Sequence, residues 1–375
     1  MGQALFSGTH TIPAGGNFAI TSLSLNNATL SLASGSASSL SVVDLNAATL
    51  NSADNRTFSN LTIRADGRLG VASGATVTVT GTFDWQAGTL TKDGRLIIAP
   101  GAVANLTTAG GKFIDGVFEN RGITNYPGTQ LFFGRDVPNL PARIENAVGG
   151  TFIIEGAGSF AQNNGGPAYR IENAGTFIKR GAGTTTIVNN PVFFASTGAV
   201  KIESGELRLN ASATLGGVID QAGGNLELSS GAYTLSDGIQ ITRISVAGGT
   251  IIAASDKTIA TLSLRADGRL TMQNGSVFTV AETLDWQSGT LTRDGRLIIA
   301  PGAVANLTTT GGKFIDGVFE NRGTTNYTGT QILFGRDVPN LPARIENAVG
   351  GTFIIEGAGS FAQNNGGPNY RIDNA

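Results

Sequence analysis

The sequence predicts an all-β fold, and within that class a β-solenoid with about 22–27 residues per coil and little or no helix. Three observations lead to this prediction. One long segment is duplicated, a shorter period recurs inside each copy, and apolar and polar residues alternate in short runs between turn residues. The composition agrees, because Gly is abundant (54 of 375 residues) and charged residues make up only 14%.

The duplication has no gap, and 93 of the 114 positions from Leu61 to Ala174 are identical to those from Leu262 to Ala375. Arg64 pairs with Arg265, 201 residues further along the chain, and GGKFIDGVFENRG at 110–122 returns unchanged at 311–323. Repetition of this kind predicts one repeat unit at 1–201 and a second, shorter one at 202–375, joined as one continuous solenoid. Because the second copy stops in mid-pattern, we expect the chain to come from a longer array.

The shorter period is visible in recurring Phe/Ile-Glu-Asn triplets. They stand in FENRG from Phe118, RIENAVGGTF from Arg143 and RIENAGTF from Arg170. This spacing is that of solenoid coils, whereas tandem immunoglobulin-like sandwiches would repeat near 100 residues. Within each triplet we expect the apolar residue to face inward, the Glu to face water and the Asn to occupy a turn with positive φ. Stacking of the coils then predicts an amide ladder of Asn120, Asn146 and Asn173.

Strands are predicted wherever apolar and polar letters alternate over four to six residues. The runs are TSLSLNNATLSLASG, ATVTVTGTF, GELRLN and GGNLELSSG, each bounded by Gly, Asn or Ser-Gly turns. No segment has an apolar stripe of helical period, so little or no helix is expected.

Composition excludes several classes of function. The net charge of -2 without basic clusters leaves no surface for a nucleic-acid backbone. With no cysteine and His10 as the only histidine, the chain offers no disulfide, thiolate or His-pair zinc site, so we expect no metal and no cofactor. No apolar run reaches the length of a membrane helix.

The segments DWQAGTLTKDGRLII, IENAGTFIKRGAGTTTI and TGAVKIESGELRLN resemble repeats of large bacterial secreted surface proteins, the filamentous-haemagglutinin-like and autotransporter-like adhesins. The resemblance implies a right-handed parallel β-helix that serves as the structural and adhesive shaft of an extracellular or cell-surface protein. It also implies repeated binding patches for a glycan or host ligand. The partners expected from the array are neighbouring repeats, with end-to-end association of the isolated chain.

An enzyme is the alternative, because some β-helix proteins cut polysaccharides. A polysaccharide lyase or glycoside hydrolase would use Asp115, Glu119 and Arg121, repeated as Asp316, Glu320 and Arg322. The alternative is a purely structural role, in which Asp115-Gly116 is a turn and Glu119 belongs to the same scaffold series as Glu145 and Glu172. We therefore expect no catalytic residues.

Two polar loops are the predicted ligand site. GRDVPNLPAR at 134–143 contains two prolines, which cannot continue a strand ladder, and AQNNGGPAYR follows one coil later at 161–170. If both loops leave the same corner, they form a groove suited to sugars; otherwise they are solvated turns. The groove would be lined by Arg135, Asp136, Asn139, Gln162, Asn163, Asn164 and Tyr169.

The only tryptophans, Trp85 and Trp286, follow alternating strands in the segment DWQ-x-GTL. An exposed tryptophan would be a binding anchor. A tryptophan that fills the interior of a coil is the interpretation we favour.

Overall fold

The computed structural model describes residues 3–18, 20–38, 40–107, 110–136, 141–164, 166, 169–187, 192–273, 275–292, 294–337, 343–365 and 370–375. Throughout these ranges the regular elements are β-strands, and no helix occurs. Successive coils are joined by parallel strand pairs. The prediction of an all-β solenoid is confirmed.

The chain forms two compact units. Unit 1 comprises Met1–Leu207 and Ala222–Gly224, and unit 2 comprises Arg208–Gln221 and Asn225–Ala375. The first boundary lies close to residue 201, where the duplication places it.

Unit 1 contains strands β1 to β24. Their bounds are Gln3–Ile12, Asn17–Phe18, Ser22–Leu32, Ala37–Ser38, Val42–Asn46, Thr49–Ser52, Arg56–Arg64, Arg68–Val71, Thr76–Trp85, Gly88–Thr91, Arg95–Ile98, Val103–Asn105, Lys112–Ile114, Val117–Asn120, Ile123–Tyr126, Gln130–Phe133, Arg143–Asn146, Thr151–Glu155, Gly158–Gln162, Tyr169–Asn173, Thr176–Arg180, Thr184–Ile187, Val192–Ser196 and Ala199–Ile202.

Strands β25 (Gly205–Leu209) and β28 (Gly224–Leu228) contribute residues to both units. Unit 2 contains the remaining strands, β26, β27 and β29 to β46. Their bounds are Ala213–Leu215, Val218–Asp220, Ala232–Leu235, Gln240–Ile241, Arg243–Ala247, Thr250–Ala253, Lys257–Arg265, Arg269–Met272, Val277–Trp286, Gly289–Thr292, Arg296–Ile299, Val304–Leu307, Lys313–Ile315, Val318–Asn321, Thr324–Tyr327, Gln331–Phe334, Arg344–Asn347, Thr352–Ile355, Ser360–Gln363 and Arg371–Asn374.

Coil length varies along unit 1. Leu23 aligns with Val43, 20 residues further on, whereas Gln130 aligns with Ser159, 29 residues further on. The predicted 22–27 residues therefore describe only part of the unit. The spacing between strands varies accordingly, since two residues separate β5 from β6 and nine separate β16 from β17.

The predicted amide ladder is confirmed inside unit 1. The side-chain nitrogen Nδ2 of Asn120 donates to Oδ1 of Asn146 at 2.8 Å, and Asn146 donates in the same way to Asn173 at 2.8 Å. Asn173 in turn donates to Oγ of Ser196 at 3.0 Å. In unit 2, Asn321 begins the equivalent series. These bonds link successive coils through their interior.

The expectation that these asparagines occupy turns with positive φ was wrong. They lie at strand ends without positive φ, and Asn120 and Asn146 are buried almost completely. The period of two along a strand explains this, because Phe118 and Asn120 are two residues apart and so point to the same, inner side. Glu119 lies between them on the outer face, yet only 5% of it is exposed, so it does not face water freely.

Trp85 and Trp286 are fully buried, which confirms that they fill the interior. The Trp85 ring stacks on Phe83 at 5.7 Å between centroids. Gly88 follows with φ of 109°, and a Cβ there would lie 2.1 Å from the carbonyl oxygen of Gly67. Only glycine fits this close approach of two coils, which accounts for the Gly of the DWQ-x-GTL segment.

Candidate functional site

One polar network in unit 1 is the Asp115 cluster, made of Asp66, Arg68, Asp115, Arg135 and Asp136. Asp115 follows β13 directly and is completely buried. Its carboxylate accepts the backbone N–H of Arg135 at 2.5 Å and that of Asp136 at 3.1 Å. Asp115 therefore fixes the start of the 134–143 loop against the preceding coil.

The side chains of the loop reach back over earlier coils. Arg135 donates to Asp66 at 2.5 Å and to the Thr89 hydroxyl at 3.1 Å, and its guanidinium lies 4.5 Å from the Phe113 ring centroid. Asp136 forms an ion pair with Arg68. Residues almost 70 positions apart in sequence are thereby joined across several coils.

Unit 2 contains the same cluster at the duplicated positions. Asp316 accepts the backbone N–H groups of Arg336 at 2.5 Å and Asp337 at 2.9 Å, and Arg336 forms an ion pair with Asp267. Burial raises the pKa of the Asp316 carboxyl above its ordinary value, while the two backbone N–H groups oppose that rise. The pKa rise thus has a structural cause, namely removal of the carboxyl from water.

Glu119 and Arg121, the other residues that the alternative enzyme would use, belong to a row of alternating charges on the outer face. Glu119 pairs with both Arg95 and Arg121, and Arg95 also pairs with Glu145. Burial alone would raise the pKa of Glu145, but hydrogen bonds from Arg95 and Arg143 outweigh it and keep the pKa below its usual value. The charges in this row neutralise one another.

Residues 134–136 and 161–164 of the two predicted loops are neighbours. Nδ2 of Asn164 donates to the Arg135 carbonyl at 2.9 Å, and Nδ2 of Asn163 lies 3.4 Å from the Gly134 carbonyl. Gln162 is half-buried at the end of β19. The amide donors of both asparagines thus join one loop to the other.

Tyr169 does not offer its ring to a ligand. It is completely buried, its hydroxyl donates to the Asn164 carbonyl at 2.9 Å, and its ring stacks on Phe133 at 5.6 Å. Asn139, the remaining residue of the predicted groove, lies outside the described residues. Arg135, Asp136 and the three polar residues 162–164 therefore remain the accessible part of that groove.

The sequence interpretation missed a pair of buried lysines, Lys112 and Lys313. Each is fully buried at the start of a strand, and Nζ of Lys112 donates to the Gly110 carbonyl at 3.0 Å. Burial lowers the pKa of both ammonium groups to about 8, from an ordinary value of 10.5. Alternation could have revealed them, because in GGKFID the Lys and the buried Ile114 are two residues apart.

These lysines predict how stability changes with pH. Between pH 8 and 10.5 the unfolded chain binds more protons at these positions, so their contribution makes the free energy of unfolding rise with pH. We expect a Lys112→Met/Lys313→Met variant to lack this rise. Between pH 7.5 and 9.5 its stability should increase about 3–4 kcal/mol less than that of the wild type, about half of it from each lysine.

Urea unfolding followed by circular dichroism at several pH values measures this difference. Lys201→Met, at an exposed position, is the matched control and should leave the pH dependence of the wild type unchanged. Parallel curves for the wild type and the double variant would contradict the prediction.

Within the described ranges, no group of three or more His, Asp or Glu side chains is arranged to bind a metal ion. That same part of the chain contains no helix long and apolar enough to cross a membrane. Comparison with protein-family models, curated proteins and solved structures produced no match.

Proposed function

We propose that this chain is a structural and adhesive shaft segment of a bacterial secreted or cell-surface protein, which presents repeated patches that bind a glycan. The observation that carries the proposal is that the charged side chains bind one another and the backbone of the scaffold. The residues that a polysaccharide-cutting enzyme would use are bonded within the scaffold, and the same bonds recur in both units.

Acid–base catalysis needs a carboxyl group that can exchange a proton with its substrate. Asp115 is buried and bonded to two backbone N–H groups, and Glu119 is only 5% exposed between two arginines. Both arrangements favour a scaffold over an enzyme that cuts polysaccharides.

Duplication supports the adhesive part of the proposal. Two equal patches on one chain increase the overall strength of binding to a polymer without any new contact, because the second binding event is intramolecular. A single catalytic site gains nothing comparable from a second copy.

The test is to incubate the purified chain with a panel of acidic and neutral polysaccharides, measuring retention of the protein and the length of the polymer together. We expect retention of the protein with no shortening of the polymer. A Gln162→Ala/Gln363→Ala variant, altered at the accessible loop residues of both units, tests the patch predicted from the sequence. Shortening of any polymer would overturn the proposal in favour of a lyase or hydrolase, and absence of retention on every polymer would remove its adhesive part.

A further inference from the structure

A cleft occurs at the same place in both units, beside the 134–143 loop and its copy. Its volume is about 240 Å³ in unit 1 and about 300 Å³ in unit 2. The side chains that matter in unit 1 are Thr76, Asp93, Arg95, Val117, Pro141 and Arg143. Residues from four coils meet here, so no single segment of sequence contains the site.

The lining of the second cleft follows the first with the offset of the duplication. Asp294 occupies the position of Asp93, and Arg344 occupies that of Arg143. Because the same depression forms independently in each unit, it follows from the repeated sequence and is not a local irregularity.

Two opposite charges in the first cleft are available to a ligand. Arg143 uses only Nε to bind Glu145, and its two terminal nitrogens have no hydrogen-bond partner among the described residues. Asp93 is exposed and forms no ion pair with any residue that the structure describes. Arg95, in contrast, is occupied by Glu119 and Glu145.

The apolar side of the cleft is formed by Val117 and Pro141. Pockets for drug-sized ligands measure about 300–1,000 Å³, so each cleft has room for one small unit of a larger ligand. A single sugar residue meets this limit and offers apolar C–H groups to such a wall.

The two charged side chains of the cleft determine which chemical groups the bound sugar residue must have. A guanidinium with two free nitrogens matches the two oxygens of a carboxylate. A carboxylate such as that of Asp93 accepts hydrogen bonds from hydroxyl groups. A sugar acid has both a carboxylate and neighbouring hydroxyls, whereas a neutral sugar lacks the first and an acidic peptide lacks the second.

We infer that each cleft binds one uronic-acid residue of an acidic polysaccharide, with the carboxylate on Arg143 or Arg344 and a hydroxyl on Asp93 or Asp294. The inference rests on the proposed adhesive function and names its ligand class. It places the binding site beside the groove that the sequence indicated, on the Arg143 side of the loop.

The two clefts also differ in the charge of the residue behind their lining. Behind Thr76 lies Asn55, which accepts the Thr76 backbone N–H at 2.8 Å. In unit 2 the equivalent acceptor is Asp256, which binds the backbone N–H of Val277 at 2.8 Å. The additional negative charge of Asp256 repels an anionic ligand, so the cleft of unit 1 is the tighter of the two.

The experiment is isothermal titration of the full chain with trigalacturonate, beside a neutral galactose trimer of equal length. We expect two trigalacturonate molecules per chain and little binding of the neutral trimer. Arg143→Gln should remove the tighter site and leave one per chain, and Arg143→Gln/Arg344→Gln should weaken binding at least tenfold. Arg180→Gln removes an arginine outside the cleft that also pairs with a glutamate through its guanidinium, and it is the matched control.

Asp93→Asn/Asp294→Asn is the second variant, at exposed positions where folding is not at risk, and circular dichroism checks the fold of every variant. It should also weaken binding of trigalacturonate, because a carboxylate acceptor for the hydroxyl groups is lost. Trigalacturonate binding that is absent in the wild type, equal to that of the neutral trimer, or unchanged in both double variants would overturn the inference.

Failure of the proposed function is separable from this result. Retention of the Arg143→Gln/Arg344→Gln variant on acidic polymer, at the level of the wild type and without shortening, would leave the adhesive shaft in place and refute only the clefts.

Discussion

Replacing Asn146 by alanine is expected to lower the free energy of unfolding of unit 1 by about 2–4 kcal/mol. Asn146 accepts from Asn120 and donates both to Asn173 and to the Thr176 carbonyl, and its side chain is buried almost completely. Its loss leaves several buried polar groups without a partner, and an unsatisfied buried group costs about 1–3 kcal/mol.

The matched control is Asn125→Ala, which breaks a similar amide contact on the outer face. Nδ2 of Asn125 donates to Asn105 at 3.0 Å, but both side chains are only half-buried. Water can replace the lost bond there, so the expected change is below about 1 kcal/mol. Urea unfolding, combined with hydrogen exchange of the amides around residue 175, measures both variants. Equal effects at the two positions would show that burial of the ladder is not what stabilises the coils.

Asp115→Ala is the second substitution with a large expected effect, a loss of about 2–3 kcal/mol in the free energy of unfolding. The backbone N–H groups of Arg135 and Asp136 would lose a charged acceptor, and the loop start would no longer be fixed. Thermal unfolding and limited proteolysis at residues 134–143 measure the change.

Asp136→Ala provides the comparison for Asp115. It removes the ion pair with Arg68 on a partly exposed surface, where such pairs contribute about 0–1 kcal/mol. The same two variants separate a structural role from a catalytic one. If Asp115→Ala kept the stability of the wild type but abolished shortening of a polymer, Asp115 would be a catalytic residue and the scaffold interpretation would be wrong.

Several features of the fold were predictable because they depend only on local alternation and on repetition. Every second side chain of a strand points to the interior, so runs such as SLSLNNATLSL indicate which side chains are buried. Identical letters in successive coils come into register, and for this reason the asparagine ladder followed from the sequence. The same period of two along a strand places Asn120 on the inner side and indicates that Lys112 is buried.

The pairing of charged groups depended on the path of the loops, which alternation does not describe. Arg135 meets Asp66 because its side chain extends over earlier coils, although 69 positions separate the two residues. Tyr169 stands in a polar stretch of sequence, but its ring is covered by its own coil and by Phe133. Neither contact has a local sequence pattern.

The sequence by itself determined the β-solenoid class, the duplication, the interior tryptophans and the ladder, since each of these follows from a period along the chain. Only the tertiary structure decided that Asp115 and Glu119 are bonded to the scaffold, that burial lowers the pKa of Lys112 and Lys313, and that a charged cleft opens beside Arg143. The physical reason is common to these three findings. Burial, pKa and accessible charge depend on neighbours from other coils, and in a solenoid those neighbours are set by the lengths of the loops between strands.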